Sequence, residues 1–404
     1  MFGNIKKSLI SLAFGTFGLG MAEFVMMGIL PDVAKTMNIS IPSAGHFISA
    51  YALGVAFGAI VLVFAARKKP LKNILLALVS IHIIGNLLTA LAPNYFSMLI
   101  TRFISGLPHG GFFGIGSIVA GKIADKGRGS QAVAAMVAGM TVANLMGIPL
   151  GTFISHNISW RVLFLLIGIF GIFVFMFISK WVPRFDAMPD NGILGQFKFL
   201  KSLAPWLIIG AIMLGNGGIF CWFSYINPLL VKVSGFKPQY VSLLMIIAGS
   251  GMCVGNFVGG KLSDKFTPAK VAGYTQLVAA LTLVLIFFLS KTPFISVGLM
   301  FVCTACLFAI SAPQQVLIIE NAPGGEILGA ASAQMAFNLG NALGAFCGGL
   351  PVEFGLGYQY TTVPGTVFAF VGFLLFMYFI KRYDRTKDIS IEQEISQQKE
   401  CSLG

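Results

Sequence analysis

The chain has 404 residues, 56 % of them hydrophobic and only 10 % charged, with a mean hydropathy of +0.86. Soluble domains carry about 25 % charged residues, so this composition excludes a water-soluble globular protein. The net charge of +13 is no mark of nucleic-acid binding, because the Lys and Arg residues sit in short connections between apolar runs and build no basic face.

A helix needs about 20 apolar residues to cross a bilayer. In chain order the apolar runs predict twelve such helices, at residues 8–30, 43–65, 73–92, 95–120, 131–153, 161–182, 204–230, 239–261, 271–290, 294–318, 327–350 and 362–382. The first follows Lys6 and Lys7, as a signal peptide would. It is too long for a signal core and lacks a small-x-small cleavage site, so it reads as an uncleaved first span. Basic residues then orient the spans. One set of alternate connections holds Arg67, Lys68, Lys69, Lys72, Lys122, Lys126, Arg128, Lys180, Arg184, Lys198, Lys201, Lys261, Lys265, Lys270 and the group after Lys381. The other set holds only Lys35, Lys232, Lys237, Lys291 and Arg161. Both termini are therefore expected in the cytoplasm. The acidic Glu320–Glu326 connection breaks the pattern only in net charge, which this rule does not count.

The longest polar interruption, with Pro183, Pro189 and Gly192, divides the chain into six spans and six. The expected organisation is a six-helix half at 1–183, a cytoplasmic linker at 184–203, a second half at 204–383 and a polar tail at 384–404. Internal similarity supports the division. Gly28 to Pro31 closes the first span as Tyr225 to Pro228 closes the seventh. Asn144, Gly151 and Phe153 of the fifth recur as Asn338, Gly344 and Phe346 of the eleventh. A duplicated six-helix bundle is a plan of secondary transporters.

Within the first span stands Glu23, with no neutralising neighbour in sequence. A carboxylate at membrane depth costs roughly 2.5–3.5 kcal/mol even on insertion scales. It either serves as a binding or protonation site facing the bundle interior, or snorkels to the outer interface. In the fourth span Arg102 lies at a similar depth, each residue seven positions from its predicted outer end. An opposite charge there favours the ionised carboxylate, while burial favours the neutral acid; the alternative is a static ion pair. His109 lies two turns below Arg102 on the same face, as a proton relay, a substrate ligand or a packing residue. His46, His82 and His156 suggest no role. The cysteines are scattered, and Cys303 with Cys306 forms a C-x-x-C inside a span without a second ligand pair, which reads as packing rather than a metal or redox site. Gly116 to Lys122 imitates a phosphate loop, but Ile123 follows the lysine and no strand precedes it. No cofactor, metal or catalytic cluster is expected, so any energy should come from an ion gradient.

Arg102, Gly106 and Gly110 in the fourth span resemble motif B of the major facilitator superfamily. Gly139 with Gly147, Pro149 and Gly151 in the fifth resembles its antiporter motif C, and Gly260 through Asp264 and Lys265 its motif A. Gly18 to Phe24, Leu107 to Gly114 and Ser159 to Arg161 narrow the resemblance to the drug:H+ antiporter-1 group, over the chain up to about residue 383. One departure is plain: the first-half motif A, at Phe64 to Pro70, lacks the usual acid, which puts its cytoplasmic charge relay in doubt. The resemblance implies an all-α membrane protein of two six-helix bundles, in which the first and fourth spans line a central cavity beside the seventh and tenth. It implies Glu23, Arg102 and His109 as the proton-coupling group. Asn216, Trp222, Tyr225, Asn227, Gln314 and Gln315 become substrate candidates, with Asn338 and Asn341 secondary. Trp222 and Tyr225 are alternatively interfacial belt residues. By spacing, Phe220 stands in the seventh span where an acid would pair with Glu23, so the cavity should be largely uncharged and suit sugars, nucleosides or neutral amphiphiles. The expected partners are a small-molecule substrate, protons and the lipid bilayer, with the chain acting as a monomeric exporter. An uncoupled facilitator or importer, or a receptor of the same fold, is the alternative.

Overall fold

The computed structural model describes residues 2–65, 69–125, 129–186, 197–323 and 325–384. Among these, the ordered elements are all helical. In chain order they are α1 (Phe2–Met37), α2 (Ile41–Ala65), α3 (Leu71–Leu91), α4 (Tyr95–Gly106), α5 (Pro108–Ile123), α6 (Gly129–Val142), α7 (Ile148–Asn157) and α8 (Trp160–Trp181). There follow α9 (Leu203–Phe223), α10 (Ile226–Lys232), α11 (Val241–Lys265), α12 (Pro268–Leu289), α13 (Pro293–Ala309), α14 (Ser311–Glu320), α15 (Glu326–Glu353) and α16 (Thr362–Phe379).

Several spans are broken, and each break precedes a proline, whose ring displaces the carbonyl four residues back. Leu107 separates α4 from α5 at Pro108, and Ile310 separates α13 from α14 before Pro313. Ser224 and Tyr225 separate α9 from α10 before Pro228. Before Pro149 the helix widens to a π-turn over Ala143–Gly147, where the Ile148 N–H donates to the Ala143 carbonyl. That wide turn accommodates the ring without ending the helix. α4 starts from a capping box in which Asn94 and Ser97 satisfy each other's backbone N–H groups. This fixes the register that carries Arg102 inward.

Among the described residues, eleven segments are long and apolar enough to cross a membrane. The twelfth predicted run, 327–350, forms the 28-residue helix α15. It falls short on apolarity because it carries Gln334, Asn338, Asn341 and several glycines. The basic residues at 67, 68, 126, 128, 385 and 387, which helped orient the chain, lie outside the described residues.

Among the described residues the apolar core falls into three clusters. One joins the first eight helices to the last eight at the end remote from the termini, with Val25, Ile29, Phe47, Trp160, Phe220, Phe223, Leu230 and Met245 among its members. Toward the end bearing the termini the two groups keep separate clusters. Leu12, Leu75, Phe112 and Val119 lie in one, and Ile208, Leu317, Ala336 and Phe376 in the other. The buried apolar core thus runs continuously between the two groups at the far end and is divided between them at the terminal end.

Candidate functional site at mid-depth between the halves

Glu23 sits in the middle of α1 and is only 7 % exposed. Its Oε2 lies 3.5 Å from His109 Nε2 of α5. Its Oε1 accepts a hydrogen bond at 3.4 Å from Nδ2 of Asn341, which belongs to α15 in the opposite half. Behind His109, Nδ1 meets the Tyr51 hydroxyl of α2 at 3.0 Å, and the ring stacks on Phe113 at 5.2 Å. The Tyr51 hydroxyl also reaches the Leu19 carbonyl at 3.4 Å.

This chain of groups accepts either state of the carboxyl. With Glu23 ionised, a proton on His109 Nε2 faces the carboxylate across 3.5 Å and Tyr51 donates to Nδ1. With Glu23 protonated, its O–H donates to Nε2, Nδ1–H donates to the Tyr51 oxygen, and Tyr51 donates to Leu19. Every donor keeps an acceptor in both arrangements, as buried polar groups require.

Arg102 is fully buried but does not pair with Glu23 within 4.0 Å. Its guanidinium donates to the carbonyls of Ala22, at 2.9 Å, and Phe47, at 3.4 Å. It lies 4.4 Å from the centre of the Tyr51 ring and 5.4 Å from that of Phe164. Matching depth along two helices therefore did not bring the two charges into contact; Arg102 addresses the backbone beside Glu23 and the face of Tyr51. Tyr51 had no signal in the sequence, where a tyrosine within a span is indistinguishable from packing.

Tyr51 is held by close helix contact. A Cβ on Gly106 of α4 would strike the Tyr51 backbone carbonyl, and Gly54 of α2 similarly faces the Phe103 carbonyl. Gly110 continues this seam against Ala59 and Val55. In the fifth span Gly147 packs on Met21, and Gly151 on Val25 and Leu163. α11 lies against the π-turn and α7, where Gly249 faces the Asn144 carbonyl. Pro149 stands at the start of α7. Lys265 ends α11 over the ring of Phe266, and the Asp264 side chain lies outside the described residues.

In the opposite half the polar groups are neutral and poorly partnered. Gln314 is fully buried and both its amide atoms lack partners. Asn338 donates to the Gln334 carbonyl, at 3.0 Å, but its Oδ1 has no partner, and neither has Oδ1 of Asn341 or Nε1 of Trp222. Gln315 accepts from Gln334 at 3.3 Å, and Asn216 is buried in α9. Phe220 lies against Phe24 with ring centres 6.2 Å apart.

Two substrate candidates sit in the far-end seal. The Tyr225 hydroxyl donates to the Ala345 carbonyl at 2.8 Å and lies over Gly45 of α2 and Gly349 of α15, neither of which has room for a Cβ. Asn227 donates to the Gly28 carbonyl of α1 across the halves. His46 completes this region, stacked on Phe346 with ring centres 5.6 Å apart and bonded to Tyr95 at 2.6 Å.

The sequence pattern of the Major Facilitator Superfamily matches residues 12–333. AraJ of Escherichia coli (strain K12) is 47 % identical over 366 residues, covering 91 % of this chain and 93 % of AraJ. A protein of Helicobacter acinonychis (strain Sheeba), named "Probable sugar efflux transporter", is 26 % identical, covering 87 % of this chain and 88 % of its own. Among solved structures, the crystal structure of the nucleoside transporter NupG superposes with a TM-score of 0.75 at 16 % identity, covering 93 % of this chain and 99 % of NupG.

Proposed function

The chain belongs to the major facilitator superfamily, and we propose that it exports a small neutral or amphiphilic solute in exchange for protons. Its relatives and its fold are those of transporters, not enzymes. The observation that carries the reading is Glu23, a buried carboxyl held by His109 in its own half and by Asn341 from the other. An ionisable group inside a membrane is retained for function, and one touched by both halves responds to their separation. Glu23 is the proton site, His109 the imidazole beside it, and Arg102 sets the field behind Tyr51.

The solute lies against the opposite half, where Gln314, Gln315, Asn338, Asn216 and Trp222 offer polar atoms. A sugar or nucleoside hydroxyl both donates and accepts, so it can satisfy orphaned amide oxygens and nitrogens alike. The names of the sugar-efflux relative and the nucleoside transporter accord with that class. α15 is the twelfth span, the two sets of helices are the two six-span halves joined by residues 184–203, and both termini face the cytoplasm of a bacterial inner membrane. In that frame the terminal end, where the apolar core divides, faces inward. Gly106, Gly110, Gly147, Pro149 and Gly151 are the close contacts over which helices bend and slide, and Asp264 with Lys265 belongs to the inner-face gate. The transporting unit is the monomer.

The test uses inside-out vesicles acidified internally and loaded with a ΔpH-sensitive dye. Pentoses, nucleosides and lipophilic cations are added one at a time. A substrate should dissipate the gradient through the wild type and not through Glu23→Gln. Labelled solute moving without any change in the gradient would contradict antiport and leave an uncoupled facilitator. Equal dissipation by both chains would place the proton elsewhere.

A further inference from the structure

We infer that the hydrogen bond from Asn341 to Glu23 is a lock on the empty transporter, released either by a proton on Glu23 or by substrate taking Asn341. The inference rests on the antiport reading and adds to it a residue that neither the motifs nor the charges singled out.

Among the described residues, this is the hydrogen bond between side chains that crosses from one half to the other; the remaining cross-half hydrogen bonds, from Ser49 to Ala342, from Asn227 to Gly28 and from Cys253 to Thr141, end on backbone carbonyls. Backbone carbonyls do not change charge, so those contacts are blind to protons. Glu23 does change charge. Around it stand Tyr51 from α2, Arg102 from α4 and His109 from α5, with His82 of α3 the next titratable group beyond His109. α15 contributes only the neutral Asn341, and the facing α9 contributes phenylalanine rings.

An ionised carboxylate at this depth needs its donors, because stripping one from a buried charge is costly. Drawing α15 away from α1 removes the Asn341 N–H, so the ionised, empty protein resists opening at the far end. A proton on Glu23 cancels the charge and with it most of that resistance. Substrate acts on the other partner. The Asn341 Oδ1 is buried and unpartnered, one turn of α15 from the unpartnered Oδ1 of Asn338, and a hydroxyl-rich solute bound there competes for the amide. Tight antiport requires that the carrier change state when loaded with either ligand and stay put when empty. A contact that either ligand dissolves supplies that rule.

The experiment places spin labels at Ser40→Cys and Phe354→Cys, two exposed far-end positions on opposite halves, in an otherwise full-length chain whose Cys253, Cys347 and Cys401 are replaced by Ser, reconstituted in lipid. The expected result is a short label distance in alkaline buffer that lengthens in acid for the wild type. In Asn341→Leu, which keeps the volume, the distance should be long or mixed in both buffers and the shift lost. Asn341→Gln should restore part of the shift. If Asn341→Leu keeps the wild-type pH response, the lock is overturned while antiport, measured separately in vesicles, stands. If the wild type itself ignores pH, the lock is overturned too, and the vesicle assay decides whether antiport falls with it.

Discussion

In the first eight helices the groups around Glu23 are ionisable and mostly partnered, with Glu23 beside His109, His109 on Tyr51 and Arg102 on two carbonyls, although Nη2 of Arg102 and, elsewhere in these helices, atoms of His82, Asn86, Asn144 and Trp160 lack partners. In the last eight the buried polar groups at mid-depth are neutral amides and an indole, and many of their atoms are unpartnered. A charge cannot be left waiting in a low-dielectric interior, so the half that carries ionisable groups must pre-form its network. An amide can wait, at about 1–3 kcal/mol per orphaned group, and what waits is available to a ligand. On the proposed antiport reading, the contrast separates a proton-handling half from a solute-handling half, touching at Asn341.

Substitutions in the two halves should therefore differ in sign as well as size. Arg102→Ala should have the largest effect, destabilising the folded protein by roughly 3–5 kcal/mol, since it leaves a buried void and removes two charge-assisted hydrogen bonds that tie α4 to α1 and α2. Thermal unfolding in detergent would show it. Gly106→Ala should cost about 1–3 kcal/mol by forcing α2 and α4 apart, and should shift the Tyr51 ring fluorescence along with the melting temperature. Gln314→Met should do the opposite to stability, leaving it unchanged or raised, while weakening solute binding by about tenfold, equivalent to about 1.4 kcal/mol. If Gln314→Met instead melts early, its amide is structural and the contrast between the halves fails. The smallest effect is expected of Gly45→Ala, whose methyl displaces the Tyr225 hydroxyl from Ala345 and costs about 1 kcal/mol. It should raise labelling of a far-end cysteine without altering the pH profile of exchange.

Much of this was legible in the sequence, for physical reasons. The apolar runs fix where helices form, and prolines 108, 149, 228 and 313 mark where they break. Glu23 and His109 stood out because charge and imidazole are rare at membrane depth. What the sequence could not show was rotation about each helix axis. Arg102 and Glu23 share a depth, yet the guanidinium turns to Ala22, Phe47 and the Tyr51 ring. Tyr225 and Asn227 carry the chemistry of substrate ligands, but the bend before Pro228 sets them in the far-end seal. Asn341 ranked below Gln314 in sequence because an amide gives no hint of which partner it faces.

The division of labour between the halves is tested most directly by counting protons released when solute binds to the purified protein. The solute is whichever member of the vesicle panel is exchanged, titrated in two buffers of different ionisation enthalpy. The wild type should release protons on binding and bind more weakly in acid. Glu23→Gln should bind with similar affinity, release none and lose the pH dependence, while Gln314→Met should bind weakly yet still release protons in proportion to occupancy. Proton release that survives in Glu23→Gln, or that vanishes in Gln314→Met at saturating solute, would contradict the assignment of proton and solute to separate halves.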